Sequence, residues 1–159
     1  MSKANILIYQ SEQGETKLQV TLQDETLWLT QKQLATLLQV SVATINEHIA
    51  NIYAENELSK EATIRNFLIV QTEGTRTVKR DLTHYNLDMV ISVGYRVKSH
   101  IATKFRQWAT ARLKEYFIKG FVIDDERLKE TKNNYFDELL ARIRDIRSSE
   151  KQFYRKVLD

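Results

Sequence analysis

The sequence predicts an α+β fold that is mostly helical, with a small antiparallel sheet made of hairpins. The chain has no proline and only four glycines among its 159 residues, which is typical of helix-rich chains with short turns. Residues 6–29 and 67–82 contain alternating apolar and polar side chains, as strands do. Apolar residues spaced three and four apart indicate helices in much of the remainder.

The composition excludes several classes of protein. A hydrophobic content of 42% suits a globular protein. Because the chain has no cysteine, it has no disulfide framework, thiolate zinc site or thiol nucleophile. No apolar run approaches the roughly 18 residues of a membrane span, and the first residues lack the apolar stretch of a signal peptide. We therefore expect a cytoplasmic protein without a membrane partner.

An antiparallel ribbon of two strands is predicted at the N-terminus. Residues 6–8 and 18–22 alternate in polarity, and Gln13 and Gly14 between them favour a turn. Residues 27–29 extend this ribbon before the first helix. We expect the ribbon to have a structural role.

Residues 31–53 predict two short helices joined by a tight turn. Thr30 and Ser41 are candidate N-caps, because a hydroxyl can accept a hydrogen bond from a free amide of the first turn. Each helix has one apolar face, formed by Leu34, Leu37 and Leu38 in the first and by Ile45, Ile49 and Ile52 in the second. Such a pair is a helix-turn-helix, whose second helix enters a DNA major groove. An ordinary helical hairpin in a core is the alternative.

The polar face of the second helix contains the candidate base-reading residues Thr44, Asn46, Glu47 and Asn51. Asparagine can bind an adenine edge, and threonine can contact a phosphate or a thymine methyl group. Ser41 is a candidate for a contact with the DNA backbone. This face has no Lys or Arg, so we expect other parts of the fold to supply the electrostatic affinity.

The layout of the pair resembles the helix-turn-helix of phage repressors at Gln31, Ala35, Leu38, Val40, Ile45 and Ile49. It departs at Gln39, where many such turns have glycine. Glycine is common there because the turn favours a positive φ, which most side chains disfavour.

A second hairpin is predicted after the helix pair. The apolar run from Phe67 to Val70 forms its first strand, and Gly74 can take the positive φ of its turn. A hairpin in this position is the wing of a winged helix-turn-helix. Arg76, Lys79 and Arg80 lie near its tip and on its returning strand, where such residues contact phosphates or the minor groove. Alternatively, they keep an exposed edge strand soluble.

Positive charge is concentrated in the segment 96–119. Residues 1–95 have 8 basic and 11 acidic side chains, whereas residues 96–159 have 16 and 10. The segment itself has seven basic residues against Glu115: Arg96, Lys98, Lys104, Arg106, Arg112, Lys114 and Lys119. Such a concentration is typical of a polyanion-binding surface, so we predict that Arg96, Lys98, Lys104 and Arg106 contact the DNA backbone. A solvated helix face without a ligand is the alternative.

The predicted helices around this segment have clear boundaries. Asn86 or Asp88 can begin a short helix that Gly94 ends. Ser99 can cap a long helix reaching Lys119, with Gly120 just beyond it. Seven residues are predicted to share the apolar face of the long helix and to anchor the core: Ile101, Phe105, Trp108, Ala109, Leu113, Tyr116 and Phe117.

The C-terminal segment is predicted to be helical from Asp124 or Asp125, either of which can be the N-cap. It has a heptad seam formed by Phe136, Leu139, Ile143, Ile146, Glu150, Phe153 and Val157, in which Glu150 is the one polar member. We favour pairing of this seam with a second copy, which predicts a homodimer. Alternatively, Ser148 and Ser149 break the helix, and its halves fold back on the chain's own core.

Three runs of sequence resemble the RhuM family of bacterial virulence-associated proteins. They are LWLTQKQLATLL at 27–38, YNLDMVISVGYRVKSHIATKFRQWATARLKEYFIKGFVIDDERLK at 85–129, and YFDELLARIRDIRSSEKQFYRKVLD at 135–159. The resemblance implies a cytoplasmic bacterial protein, often encoded on mobile elements or pathogenicity islands, with a DNA-binding N-terminal half. Family members usually continue beyond the end of this chain, so we expect it to correspond to their N-terminal portion.

The sequence offers no catalytic constellation. His84 and His100 are not at metal-ligand spacing, and His48 lies beside an apolar face. The acidic residues at 124–126 lack the strand-borne aspartate that two-metal nuclease chemistry needs, and helix capping explains them better. We therefore expect no enzyme, no catalytic or metal-binding residue and no cofactor.

Together these patterns predict three segments. Residues 1–95 form a winged helix-turn-helix-like domain, residues 96–123 a long basic and aromatic helix packed on it, and residues 124–159 a dimerising helical segment. The expected function is transcriptional regulation through binding to double-stranded DNA. The alternatives are a protein-interaction or toxin-like module and, with less support, a nuclease.

Overall fold

The computed structural model describes residues 2–11, 14–23, 26–130 and 135–158, with only the backbone described for 2–11, 14–22, 130 and 153. It divides into two compact units, Met1–Lys114 and Glu115–Asp159. The described residues form five strands and seven helices, so the expectation of a mostly helical fold with a small antiparallel sheet is confirmed. The predicted three-segment division remains a prediction.

The strands form one antiparallel sheet in the order β1-β2-β3-β5-β4. Their bounds are β1 Ser2–Ser11, β2 Gly14–Gln23, β3 Thr26–Thr30, β4 Ile64–Glu73 and β5 Arg76–Asn86. β1 and β2 are the predicted ribbon, β3 extends it, and β4 and β5 are the predicted second hairpin. Because β3 pairs with β5, both hairpins belong to one sheet.

Five helices lie wholly or partly in the first unit: α1 Gln31–Leu38, α2 Val42–Ala54, α3 Lys60–Thr63, α4 Leu87–Arg96 and α5 His100–Lys119. The predicted caps are present. Thr30 and Gln33 form a capping box on α1, and Ser41, Asn86 and Ser99 cap the helices that follow them. The Ser99 hydroxyl also donates to the carbonyl oxygen of Leu38, the last residue of α1, at 2.8 Å.

The core of the first unit lies between the helices and one face of the sheet. It contains the predicted apolar faces of α1 and α2, together with Leu29 and Tyr85 of the sheet and Met89 and Val93 of α4. The opposite face of the sheet has a second buried group. There the Phe67 ring lies edge-on to Trp28 and His84, at centroid distances of 5.8 and 4.8 Å.

Gly94 does not end α4, contrary to the prediction. The helix continues to Arg96, and Val97 is its C-cap. Gly94 is buried where α4 meets α5, and a Cβ built on it would lie 2.5 Å from Cε1 of Phe105. The glycine therefore permits close packing of two helices.

The predicted aromatic anchor of α5 is largely wrong. Of the seven residues proposed for its apolar face, only Phe105 is buried, accompanied by Ala102. Trp108 is 44% exposed, and Leu113, Tyr116 and Phe117 are more exposed still. Only the first turns of α5 lie against the core, because the 20-residue helix extends past it into the second unit.

The second unit contains the end of α5, α6 Asp125–Glu130 and α7 Tyr135–Leu158. Asp124 caps α6 by accepting from the amide of Arg127 at 3.1 Å. α7 is continuous through Ser148 and Ser149, so the alternative of a break there is wrong. Along the heptad seam, Phe136, Ile143, Ile146 and Val157 are exposed and Leu139 is half-buried, whereas the side chain of Phe153 lies outside the described residues.

Candidate nucleic-acid interface

The turn between α1 and α2 is closed by a left-handed residue. Gln39 has a φ of +55°, and the amides of Gln39 and Val40 bond to the carbonyls of Thr36 and Ala35 at 3.4 and 3.1 Å. The sequence suggested that this position needs a positive φ, and Gln39 adopts it without being glycine. α1 and α2 therefore lie against each other across only three residues.

α2 has two contrasting faces. Ile45 and Ile52 are fully buried and Ile49 nearly so, whereas the predicted base-reading residues Asn46, Glu47 and Asn51 are exposed. Small residues, which the sequence analysis did not single out, complete the exposed face: Ala43, Ala50 and Ala54. Their positions beside the buried isoleucines at helical spacing could have revealed them. Because these side chains are short, the face allows close approach of another surface.

The N-terminus of α2 uses Ser41 and Thr44 for its own capping. The Ser41 hydroxyl accepts from the Thr44 amide at 3.1 Å and shares a hydrogen bond with the Thr44 hydroxyl at 2.9 Å. Ser41 is exposed and Thr44 is half-buried. Both predicted contact residues therefore have a local structural role, and their positions are fixed by it.

The β4–β5 hairpin presents its basic residues to solvent. Arg76, Lys79 and Arg80 are exposed on β5, and Gly74 takes a φ of +62° in the two-residue turn. Arg80 is paired with Glu73 of β4 at 2.6 Å, so part of its charge is neutralised locally.

Arg96 is engaged in an ion-pair cluster that the sequence analysis missed. Its guanidinium donates to the carboxylate of Glu55 at 2.6 Å and also to the carboxylate of Glu57. Both glutamates lie just after the end of α2. These hydrogen bonds lower the pKa of both carboxyl groups and raise the pKa of Arg96. The cluster joins the end of α4 to the end of α2, so Arg96 has a structural role.

Arg106 is likewise used within the fold. Its guanidinium donates to the carbonyl oxygens of Gly94 and Val97, at 3.1 and 2.8 Å, which lie at the end of α4. Of the other predicted backbone contacts in this segment, Lys98 is exposed and Lys104 is half-buried. The basic segment therefore divides into side chains that hold α4 and side chains that face solvent.

Within the described ranges, no group of three or more His, Cys, Asp or Glu residues is arranged to hold a metal ion. In the same part of the chain, no helix is long and apolar enough to cross a membrane.

Fold and surface thus define an α+β protein in which a helix pair with an exposed polar face precedes a basic hairpin. The family model described as Virulence protein RhuM family matches residues 62–159. The chain therefore belongs to this family, as the sequence analysis predicted. The match covers the C-terminal portion of the chain rather than the N-terminal one, and it leaves out residues 27–38. No curated protein and no solved structure matches the chain.

Proposed function

We propose that this protein binds double-stranded DNA and regulates transcription, with α1 and α2 as a helix-turn-helix and the β4–β5 hairpin as its wing. The observation that carries the proposal is the outer face of α2. Three isoleucines fix this helix in the core, while Asn46 and Asn51 remain exposed beside alanines. Asparagine can bind adenine bidentately and alanine can contact a thymine methyl group, so the face suits a major groove.

The order of elements supports the wing. The helix pair lies between β3 and β4 in sequence, and β3 pairs with β5 in the sheet. The hairpin is therefore anchored beside the helix pair, with Arg76 and Lys79 exposed on it. Basic side chains supply the sequence-independent attraction to phosphates, which the uncharged asparagines cannot provide.

Lys98 and Lys104 add contacts with the DNA backbone, and the protein binds as a homodimer. The protein acts in the bacterial cytoplasm, where its target DNA lies, and has a binding role rather than a catalytic one. Within the RhuM family, this makes it a regulator of the type found on virulence-associated or mobile elements.

Titration of genomic DNA fragments at several salt concentrations tests this function. We expect the logarithm of the affinity to fall linearly with the logarithm of salt concentration. Arg76→Ala and Lys79→Ala should each reduce that slope by about 1 and weaken binding to all DNA sequences similarly. Asn46→Ala and Asn51→Ala should instead reduce the free energy of binding to the preferred DNA sequence by about 1–3 kcal/mol. Both should leave non-specific binding unchanged.

Arg144→Ala is the matched control, because Arg144 is an exposed basic residue on α7. It should leave both the slope and the sequence preference unchanged. Absence of binding at low salt, or equal losses in all variants including the control, would reject the proposal.

A protein-interaction module is the second candidate, and one observation favours it. Val122, Ile123, Leu128 and Leu139 line an open groove of about 470 Å³ between α6 and α7. The charged residues Asp124, Arg127, Glu138 and Arg142 also line the groove, which makes it a candidate site for an amphipathic partner helix. Co-purification of a stoichiometric protein without nucleic acid would favour this candidate.

A further inference from the structure

β4 is one of the two edge strands of the sheet, and β1 is the other. β4 pairs with β5 on one side, and none of the other described strands pairs with its outer side. An edge strand presents a row of unpaired amide and carbonyl groups, which can accept another strand. Natural proteins usually protect such edges with charges, prolines or short strand length.

β4 has little of this protection. It is ten residues long, and the run NFLIVQT at 66–72 contains neither a charge nor a proline. Leu68 and Val70 are 58% and 59% exposed and point to the same face. The neighbouring strand β5 has four charged residues within 76–81, so the apolar character is specific to the edge.

The two charged residues of β4 make the strand self-complementary. Arg65 and Glu73 lie four residues on either side of Ile69. Antiparallel pairing of two copies about Ile69 would place each Arg65 opposite Glu73 of the second copy. The same register would place Leu68 opposite Val70, and such aliphatic and opposite-charge pairs stabilise antiparallel strands. A parallel pairing in register would instead oppose like charges.

The existing contacts of these two residues are compatible with this pairing. Arg65 lies over the Trp28 ring at 4.9 Å, and Glu73 is paired with Arg80 at 2.6 Å. Both Arg65 and Glu73 are exposed, so an additional partner can reach them. The Glu73–Arg80 ion pair is exposed and therefore weak, so it can rearrange at little cost.

We propose that the outer edge of β4 is a homodimer interface, in which a second copy of this chain adds its β4 in antiparallel register about Ile69. The sheet then continues across both copies. This assembly does not depend on DNA binding, and it is tested in buffer without nucleic acid.

Sedimentation equilibrium of the full chain over a range of concentrations tests the proposal. We expect a reversible dimer, which Leu68→Lys combined with Val70→Lys weakens by at least about 100-fold, because opposed lysines repel across the strands. Thr77→Lys combined with Thr83→Lys is the matched control. These exposed positions lie on the same face but on β5, and the dissociation constant should change less than threefold.

Charge reversal tests the register. Arg65→Glu or Glu73→Arg alone should each weaken the dimer by about tenfold, because two attractive pairs become repulsive. The double variant Arg65→Glu with Glu73→Arg should restore the wild-type dissociation constant to within about threefold, since the pairs are then reversed in sign.

Cross-linking gives an independent test that does not rely on weakened variants. The chain has no cysteine, so Ile69→Cys introduces a single thiol at the proposed two-fold axis. Mild oxidation should give a disulfide-linked dimer, whereas Thr77→Cys on β5 should form no cross-link. A monomer at all concentrations, an unlinked Ile69→Cys variant, or a dimer abolished by Ile143→Lys on α7 but not by the β4 lysines would overturn the proposal.

Discussion

At the scale of single residues, Gly94 shows how a close helix contact depends on one missing methyl group. Ring carbons Cε1 and Cδ1 of Phe105 lie 2.5 and 2.8 Å from where a Cβ would be. Because Phe105 is buried, it has little room to move. The glycine therefore sets how closely α5 can approach α4.

We predict that Gly94→Ala destabilises the protein by about 1–3 kcal/mol through overpacking. Urea denaturation measures the loss. Combining Gly94→Ala with Phe105→Leu should cost less than the sum of the two single changes, because the smaller side chain removes the clash. Additive costs would show that Gly94 has a different role.

The buried His84 predicts how the stability of the protein depends on pH. The imidazole Nδ1 donates to the carbonyl oxygen of Leu82 at 2.9 Å. Burial lowers the pKa of the imidazole below its ordinary value of 6.5, and the hydrogen bond only partly opposes this effect. Because the unfolded state then binds the proton more readily, stability should fall as the pH decreases through 6.5 towards the folded pKa.

An NMR titration should therefore give His84 a midpoint below 6.5. In His84→Phe, which keeps a ring against Phe67, this part of the acid destabilisation should disappear. On acidification, the wild type should therefore lose stability relative to the variant. A midpoint at or above 6.5 would contradict the burial that the structure assigns to this ring.

The contacts of Arg96 and Arg106 could not be predicted from the sequence. Composition showed that the segment 96–119 is basic, but it could not show which guanidinium groups are already used. Arg96 binds carboxylates 39 and 41 residues earlier in the chain. Arg106 binds carbonyl oxygens at the end of α4, which no side-chain pattern reveals.

At the scale of elements, local rules predicted most helices and strands. Hydroxyl and amide caps marked the starts of α1, α2, α4 and α5, and alternation marked the hairpins. The role of α5 was not predictable in the same way. Its aromatic residues share a helical face, but whether that face is covered depends on how far the core extends along the helix. That distance is a tertiary property.

The capping box of α1 gives a prediction for an element. The Thr30 hydroxyl accepts from the Gln33 amide at 3.2 Å, and the Gln33 side chain accepts from the Thr30 amide at 2.8 Å. Thr30→Ala should lower the free energy of unfolding by about 1 kcal/mol, whereas Thr30→Ser should lower it little because serine keeps the cap. Thermal denaturation with circular dichroism measures both.

Thr36→Ala is the control within the same helix. Its hydroxyl donates only to the Lys32 carbonyl, and alanine favours helix more than threonine does. It should be neutral or slightly stabilising. Equal losses at positions 30 and 36 would argue against a specific capping effect.

At the scale of the whole molecule, all the buried hydrophobic residues among those with described side chains lie between Leu27 and Phe105, within the first unit. The family match begins at residue 62 and so includes only part of that core. The boundary between the two units, after residue 114, therefore differs from the start of the family match, at residue 62. The sequence could not reveal the first of these, because α5 crosses it without a break.

We predict that residues 1–114 fold on their own, since they contain this core. Urea unfolding followed by tryptophan fluorescence should be cooperative, with a free energy of unfolding within about 1 kcal/mol of the full chain. Non-cooperative unfolding of the fragment would show that residues after 114 are needed for the fold.

Ser99 has a consequence for how movement spreads through the first unit. One hydroxyl donates to the last carbonyl of α1 and accepts from an amide in the first turn of α5. A displacement of α1 would therefore act on the start of α5 through this hydroxyl, without passing through the sheet. The hydroxyl thus links two stretches of chain that are 61 residues apart, and Ser99→Ala would remove both hydrogen bonds.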